Sequence, residues 1–293
     1  MSIIVERLNH HHTYSYKFQS LNILNLAAIG ASDVWFSSMN ELNDPFEGLS
    51  KIEEVDADRA FSNSIGWYAQ VLVDLKGYSS SEAIKEAQDK YHSDPPRFIE
   101  FVEEEVSKGY EGAKEFQQSL SVYSASWDLK NSPLISSVYN ILMWSHYGDG
   151  LKGYCLKFDT ALLLDSIKQL NLNCNVGLSP VKYTSSLSEI SKYQSPKSLL
   201  ESFVHKALNK SEHWEYEREV RFLSNKHGLH KFDSLALKEV YIGSKMPKQH
   251  RELLLSVLAR VYSHVKVFEV GFDASAYNLV VKDLPMTLGF KLT

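Results

Sequence analysis

Four acidic and basic side chains stand at alternate positions near the middle of the second half of the chain. In Trp214 to Arg221, WEYEREVR, the carboxylates are Glu215, Glu217 and Glu219, followed by Arg221. If Trp214 to Leu223 is a strand, a period of two puts all four on one face, with Trp214, Tyr216, Arg218, Val220 and Phe222 on the other. Alternate carboxylates on a strand are about 6.5 Å apart, and at an effective dielectric of 20 they repel by about 2 to 3 kcal/mol. Arg221 or an exposed edge would reduce that cost. Such a face fits a functional carboxylate, or else a solvated charged face.

A second chemical cluster is Trp144-Ser145-His146-Tyr147, which ends an apolar stretch with helical spacing (residues 135–147) and precedes Gly148-Asp149-Gly150. Aromatic rings and a titratable imidazole at a loop edge suit a flat ligand, although the negative end of a helix would also favour His146 without one. A third cluster, Asn43-Asp44-Pro45-Phe46-Glu47-Gly48, sets a turn, because Asx side chains bond nearby backbone and Pro fixes φ. It would place Asn43, Asp44 and Glu47 at a pocket rim, with Asn43 able to donate and accept.

Other chemistries find less. No GxSxG elbow, GxGxxG or GxxxxGK[ST] loop, HExxH or CxxC spacing is present. Cys155 lies in a run that reads as a buried strand, which argues against a thiolate nucleophile. The two cysteines form no disulfide framework and no zinc ribbon. Asp44, Glu47, His146, Glu217 and Glu219 leave a metal-dependent nuclease open as an alternative, but without metal-ligand spacing no metal is expected. Three histidines in Leu8 to Thr13 read as a solvated arm.

These residues need elements to position them. Tyr14 to Ser20 alternates as a strand, Leu21 to Ile29 has helical spacing, and Val34 to Ser37 is a second strand. Ser121 to Trp127 and Gly153 to Phe158 read as strands flanking the helix of the Trp-Ser-His-Tyr cluster. Between the early strands and this central stretch, residues 81–118 hold ten Asp or Glu against five Lys or Arg, so residues 55–118 are expected to be two or three acidic amphipathic helices. Downstream, helices are expected at 160–170, 196–209 and 247–262, and strands at 181–184, 239–243 and 265–271, with a hairpin from 277–282 and 286–292. With no βαβ rhythm, the expectation is one α+β domain over 1–293, a mixed and mainly antiparallel sheet with an acidic helical insertion.

Composition narrows the setting. At 293 residues and 44% hydrophobic, the chain can bury a sizeable core. A formal net charge of -5 argues against non-specific duplex binding. No N-terminal signal pattern and no apolar run near membrane-spanning length is present, which points to the cytoplasm and away from a membrane.

Three stretches carry a resemblance. Met143 to Gly148 running into Gly153 to Asp159 resembles the central motif of a bacterial family of unknown function, DUF2971. Trp35 to Ser38 with Leu42 to Glu47 resembles its early motif, and Trp214 to Arg221 its late one. A looser resemblance is to ADP-ribosyltransferases, in which a polar or aromatic strand, a helix and a strand precede a catalytic glutamate on a late strand. Glu217-Arg218-Glu219 is similar to their Glu-x-Glu pattern. That resemblance implies NAD as a substrate, Glu219 as the catalytic carboxylate with Glu217 as its partner, and Tyr16, Lys17, Ser37, Asn43, Asp44, Trp144, His146, Tyr147 and Arg221 around the dinucleotide. Lys17 stands where an Arg or His belongs, and the serine-rich strand is only echoed by Ser124-Ala125-Ser126. The competing expectation is a non-enzymatic module that binds a nucleotide or a partner, as an accessory of phage defence or a toxin system. The acceptor and the oligomeric state are not legible.

Overall fold

A computed structural model describes residues 14–53, 57–128 and 136–285. In chain order the elements are β1 (Tyr14–Gln19), α1 (Ile23–Gly30), β2 (Asp33–Ser38), β3 (Lys51–Ile52), α2 (Ala57–Lys76), α3 (Ser80–Ser93), α4 (Pro95–Ser119) and β4 (Ser121–Trp127). They continue with α5 (Ile141–His146), β5 (Tyr154–Asp159), α6 (Thr160–Leu170), β6 (Val176–Pro180), β7 (Lys182–Thr184), β8 (Glu189–Ile190), α7 (Pro196–Lys206) and β9 (Asn209–Ser211). The last are β10 (Glu219–Ser224), β11 (Gly228–Lys231), β12 (Leu237–Gly243), α8 (Lys248–Val261), β13 (Lys266–Phe272) and β14 (Leu279–Asp283). This is an α+β fold with a mainly antiparallel mixed sheet. The chain groups into two compact units, residues 1–38, 120–181 and 212–293 in the first, and 39–119 and 182–211 in the second.

Among the described residues, the first unit is built on a ten-stranded sheet ordered β11-β2-β4-β1-β5-β12-β13-β14, with β10 beside β4 and β6 beside β10. Neighbours are antiparallel except β12 and β13, whose parallel pairing follows from the α8 crossover between them. β4 is central because its two ends share one edge with β1 and β2 while β10 runs along the other. Both of its faces are covered, and six of its seven residues are buried.

Each face has its own core. On one, Tyr123, Ala125, Val220, Phe222, Leu156 and Phe158 pack with Ile29 of α1, Leu163 and Ile167 of α6, and Leu254 and Leu258 of α8. On the other, Tyr16, Phe18, Cys155 and Tyr241 pack under Met143 and Trp144 of α5. Residues directly opposite in a ladder share a face. The register therefore lines up Glu219, Ser126, Tyr16, Lys157 and Glu239 as one polar row on the α5 face.

In the second unit, α2, α3 and α4 occupy the acidic segment. Ser79 and Glu82 form a reciprocal cap at the start of α3, and Pro95 opens α4, where a missing N–H costs nothing. Trp67, Phe98, Val102 and Val106 form one core, and Ala113, Ile190, Leu199 and Phe203 another. The parallel pair β3 with β8 joins the two segments of this unit, and β7 with β9 closes the ends of the second segment on each other.

Several boundaries differ from expectation. The helix over 135–147 is the six-residue α5 preceded by a 3-10 turn at Ser137–Tyr139. The strand expected at 181–184 is β7, a further strand, β6, precedes it, and β14 pairs with β13 while the second arm of the expected tail hairpin lies outside the described residues, as does Leu8 to Thr13. Among the described residues, no helix is long and apolar enough to cross a membrane.

Candidate functional site

Asn140 organises the α5 end of the site. Its Oδ1 accepts from the backbone of Leu142 (3.0 Å) and Met143 (3.4 Å), capping α5, while its Nδ2 donates to the carbonyl of Tyr216 (2.7 Å). One side chain thus starts the helix and ties it to the turn that precedes β10. Trp144 is fully buried, with its indole N–H donating to Val138 O (2.7 Å) and its ring edge-on to Phe18 (5.3 Å). It anchors α5 and presents no ring face to a ligand. His146 is exposed and lies 5.9 Å from the ring of Tyr216, which in turn is 6.1 Å from Trp214. These three form a row of rings at the surface. Tyr147 is half-buried and donates its hydroxyl to Oε1 of Glu217.

The late motif departs from the expected strand. Glu212–Glu217 is a 3-10 turn, Arg218 takes a left-handed backbone with φ of 47°, and β10 begins only at Glu219. Two hydrogen bonds hold this kink: Arg218 N–H to Glu215 O (3.1 Å), and Trp127 N–H to Arg218 O (2.8 Å). Glu217 and Glu219 therefore reach the site from a turn and a strand, and Glu215 is exposed. Both carboxylates are buried, at 4% and 6% exposure.

Each carboxylate has a polar partner. Arg221, at 1% exposure, lies two residues along β10 and donates through Nε to Oε1 of Glu219 (2.8 Å) and through Nη2 to Oε2 (3.2 Å). Such a forked, charge-assisted pair fixes both oxygens. Losing one member of a buried pair costs about 3 to 5 kcal/mol. The repulsion between neighbouring acids that the alternation implies is met here by a guanidinium for one and a phenol for the other.

The remaining predicted residues are dispersed. Tyr16 is buried and donates to Oδ2 of Asp128 (2.6 Å); burial and that carboxylate push its phenol well above the ordinary value. Met143 lies over Ser126, between Tyr16 and Glu219 in the polar row. Lys17 points to the opposite face, donating to Ser124 O (2.7 Å) with its ammonium 4.9 Å from the Tyr123 ring centre. Ser37 sits in β2 opposite Val122, and Trp35 is about half exposed. In the second unit, Asn43 is exposed, and Asp44 is buried in an Asx turn, accepting from Phe46 N–H (2.9 Å). Beside it Glu47 faces Lys210 at 3.9 Å with both side chains buried. Among the described residues, no group of three or more His, Cys, Asp or Glu is placed to hold a metal ion.

Sequence reasoning missed three features. Asn140 carried a readable signal, an Asx residue ahead of an apolar run, whereas Lys157 with Glu239 (3.0 Å) joins residues with no local link. Ser224 and His230 (3.2 Å), with Cys174 at 3.5 Å from the serine, meet only because β10, β11 and the loop after α6 converge. Cys155 is fully buried, and burial pushes its thiol well above the usual range, in keeping with an inert cysteine.

No curated protein and no solved structure matches the chain. Residues 143–222, from α5 through the kinked turn and into β10, match the model of the family described as a protein of unknown function, DUF2971.

Proposed function

We propose that the first unit binds a nucleotide at the His146–Tyr216–Trp214 row and cleaves its N-glycosidic bond, as an NAD-dependent ADP-ribosyltransferase-like enzyme. The observation that carries this is the pair of buried carboxylates at the head of β10, Glu217 fixed by Tyr147 and Glu219 by Arg221. Breaking the bond from ribose to nicotinamide leaves the electron pair on the departing base and builds positive charge on the ribose. A carboxylate already held in place stabilises that charge without reorganising, and removing one such group typically costs about 100- to 1000-fold in rate. Glu219 is the stabilising group and Glu217 the one that faces the acceptor. The rings of His146, Tyr216 and Trp214 offer faces for stacking a base. The setting, a cytoplasmic bacterial enzyme of phage defence or of a toxin system, rests on resemblance alone.

One observation favours a second reading. Arg221 occupies both oxygens of Glu219, which suits a structural ion pair in a binding module that does no chemistry. The two readings share the ring row and part at turnover. Calorimetric titration of NAD into wild type, His146→Ala and Tyr216→Ala tests the shared element, with about tenfold weaker binding expected in each variant. Nicotinamide release tests the enzyme. Binding without release leaves the module; neither binding nor release refutes both.

A further inference from the structure

Two consecutive residues of the turn before β10 are held by the two ends of α5. Asn140 caps the start of the helix and Tyr147 its end. Asn140 donates through Nδ2 to the carbonyl of Tyr216 (2.7 Å), and the Tyr147 hydroxyl donates to Glu217, the next residue along. Neither partner would keep its shape alone. α5 has six residues, below the length at which an isolated helix is stable, and Glu212–Glu217 is a 3-10 turn, whose hydrogen bonds have poorer geometry than those of an α-helix. The turn runs directly into Arg218, whose left-handed backbone (φ of 47°) persists only where its surroundings impose it. The 5.9 Å between the rings of His146 and Tyr216 is therefore set by α5 on one side and by this turn on the other, with Asn140 joining the two.

Among residues that cap helices well, asparagine alone meets the demands made at position 140. Its Oδ1 accepts from the N–H of Leu142 and Met143 while its Nδ2 faces the Tyr216 carbonyl, so one orientation of the amide satisfies all three contacts and the flipped one satisfies none. Aspartate and serine cap about as well. Aspartate, however, has no donor for the carbonyl, and serine has its one hydroxyl engaged at the cap. Either substitution separates the start of the helix from the tie to Tyr216.

We infer that Asn140 is a positioning residue of the nucleotide site, which fixes the Tyr216 ring beside His146 by holding the Tyr216 carbonyl, and which acts on the ligand through that ring. The inference rests on the nucleotide reading of the ring row.

The test is a double-mutant cycle read by calorimetric titration of NAD into the full chain. It uses wild type, Asn140→Asp, Asn140→Ser, Tyr216→Ala, and each Asn140 variant combined with Tyr216→Ala. Both single Asn140 variants keep the cap and are expected to bind NAD about tenfold more weakly than wild type. Tyr216→Ala keeps the backbone carbonyl but has no ring to position, so in that background either change is expected to weaken binding by less than about twofold. A loss of equal size in both backgrounds overturns the inference, because it would show Asn140 supporting the fold rather than the ring. Unchanged binding in both single variants overturns it too, and leaves the nucleotide reading standing. A loss confined to Asn140→Asp also overturns it, since the added charge and not the missing donor would be the cause. No binding of NAD by wild type overturns the nucleotide reading, and the inference falls with it. If Asn140→Asp does not fold, Asn140→Ser carries the cycle.

Discussion

Tyr147 and Arg221 supply to two buried glutamates the hydrogen bonds that water would supply at an exposed site. Tyr147→Phe removes one donor while keeping the ring, so thermal unfolding should show a loss of about 1 to 3 kcal/mol. The ion pair behaves differently, because its members depend on each other. Arg221→Met should destabilise by about 3 to 5 kcal/mol, and adding Glu219→Gln to it should recover part of that loss in urea melts. Equal and additive losses would contradict the pairing. His230 provides a pH signature at the same scale. It is buried against Phe36, with ring centres 4.2 Å apart, and burial lowers its pKa below the ordinary 6.5. Between its folded pKa and about 6.5 the unfolded chain therefore binds more protons than the folded one. Stability should be full above that window and fall as pH drops through it, with a shallower fall in His230→Gln when denaturation midpoints are compared. Glu217, Tyr147 and the neutralising Arg221 were each legible in sequence as candidates, but nothing local pairs Glu217 with a phenol 70 positions away.

At the scale of elements, the kink at Arg218 decides how the carboxylates are presented. Aromatic and charged residues alternate from Trp214 through Arg221, so period two extends the strand too far toward the N-terminus. The alternation continues through a 3-10 turn and a residue with φ of 47°, neither of which it can register. β1, β4 and β5 were legible because burial on alternating or both faces is written into their side chains; the order of strands was not, since nothing local names a neighbour. Glycines around α5 were read as a stop and a turn, and packing makes more of them. A Cβ on Gly153 would stand 2.2 Å from Gln19 O, and one on Gly243 2.1 Å from Leu151 O, both backbone atoms. Alanine at either position is expected to cost about 3 kcal/mol or more. Gly66, inside α2 with nothing within 4 Å of a built Cβ, is the contrasting case. There alanine should stabilise by about 0.5 to 1 kcal/mol, as thermal melts would show.

At the scale of the whole chain, the acidic shift in composition marks the helices α2 to α4, but the second unit also takes residues 182–211, whose composition is unremarkable. That segment was read as a strand and a helix with no hint of its association, because β8, the strand that pairs across to β3, is two residues long and its partner lies far away in sequence. Replacing 57–118 by a short linker should therefore leave Leu199 and Phe203 uncovered and yield insoluble protein. The central claim, however, concerns the first unit and the carboxylates at the head of β10. Its most direct test is chromatography of nicotinamide after incubation with NAD, for wild type and for Glu219→Gln verified as folded by its melt. The account predicts release by wild type and a loss of about 100-fold or more in the variant. Equal release by both would contradict the role given to Glu219, and no release by a wild type that binds NAD would leave the site a binding module.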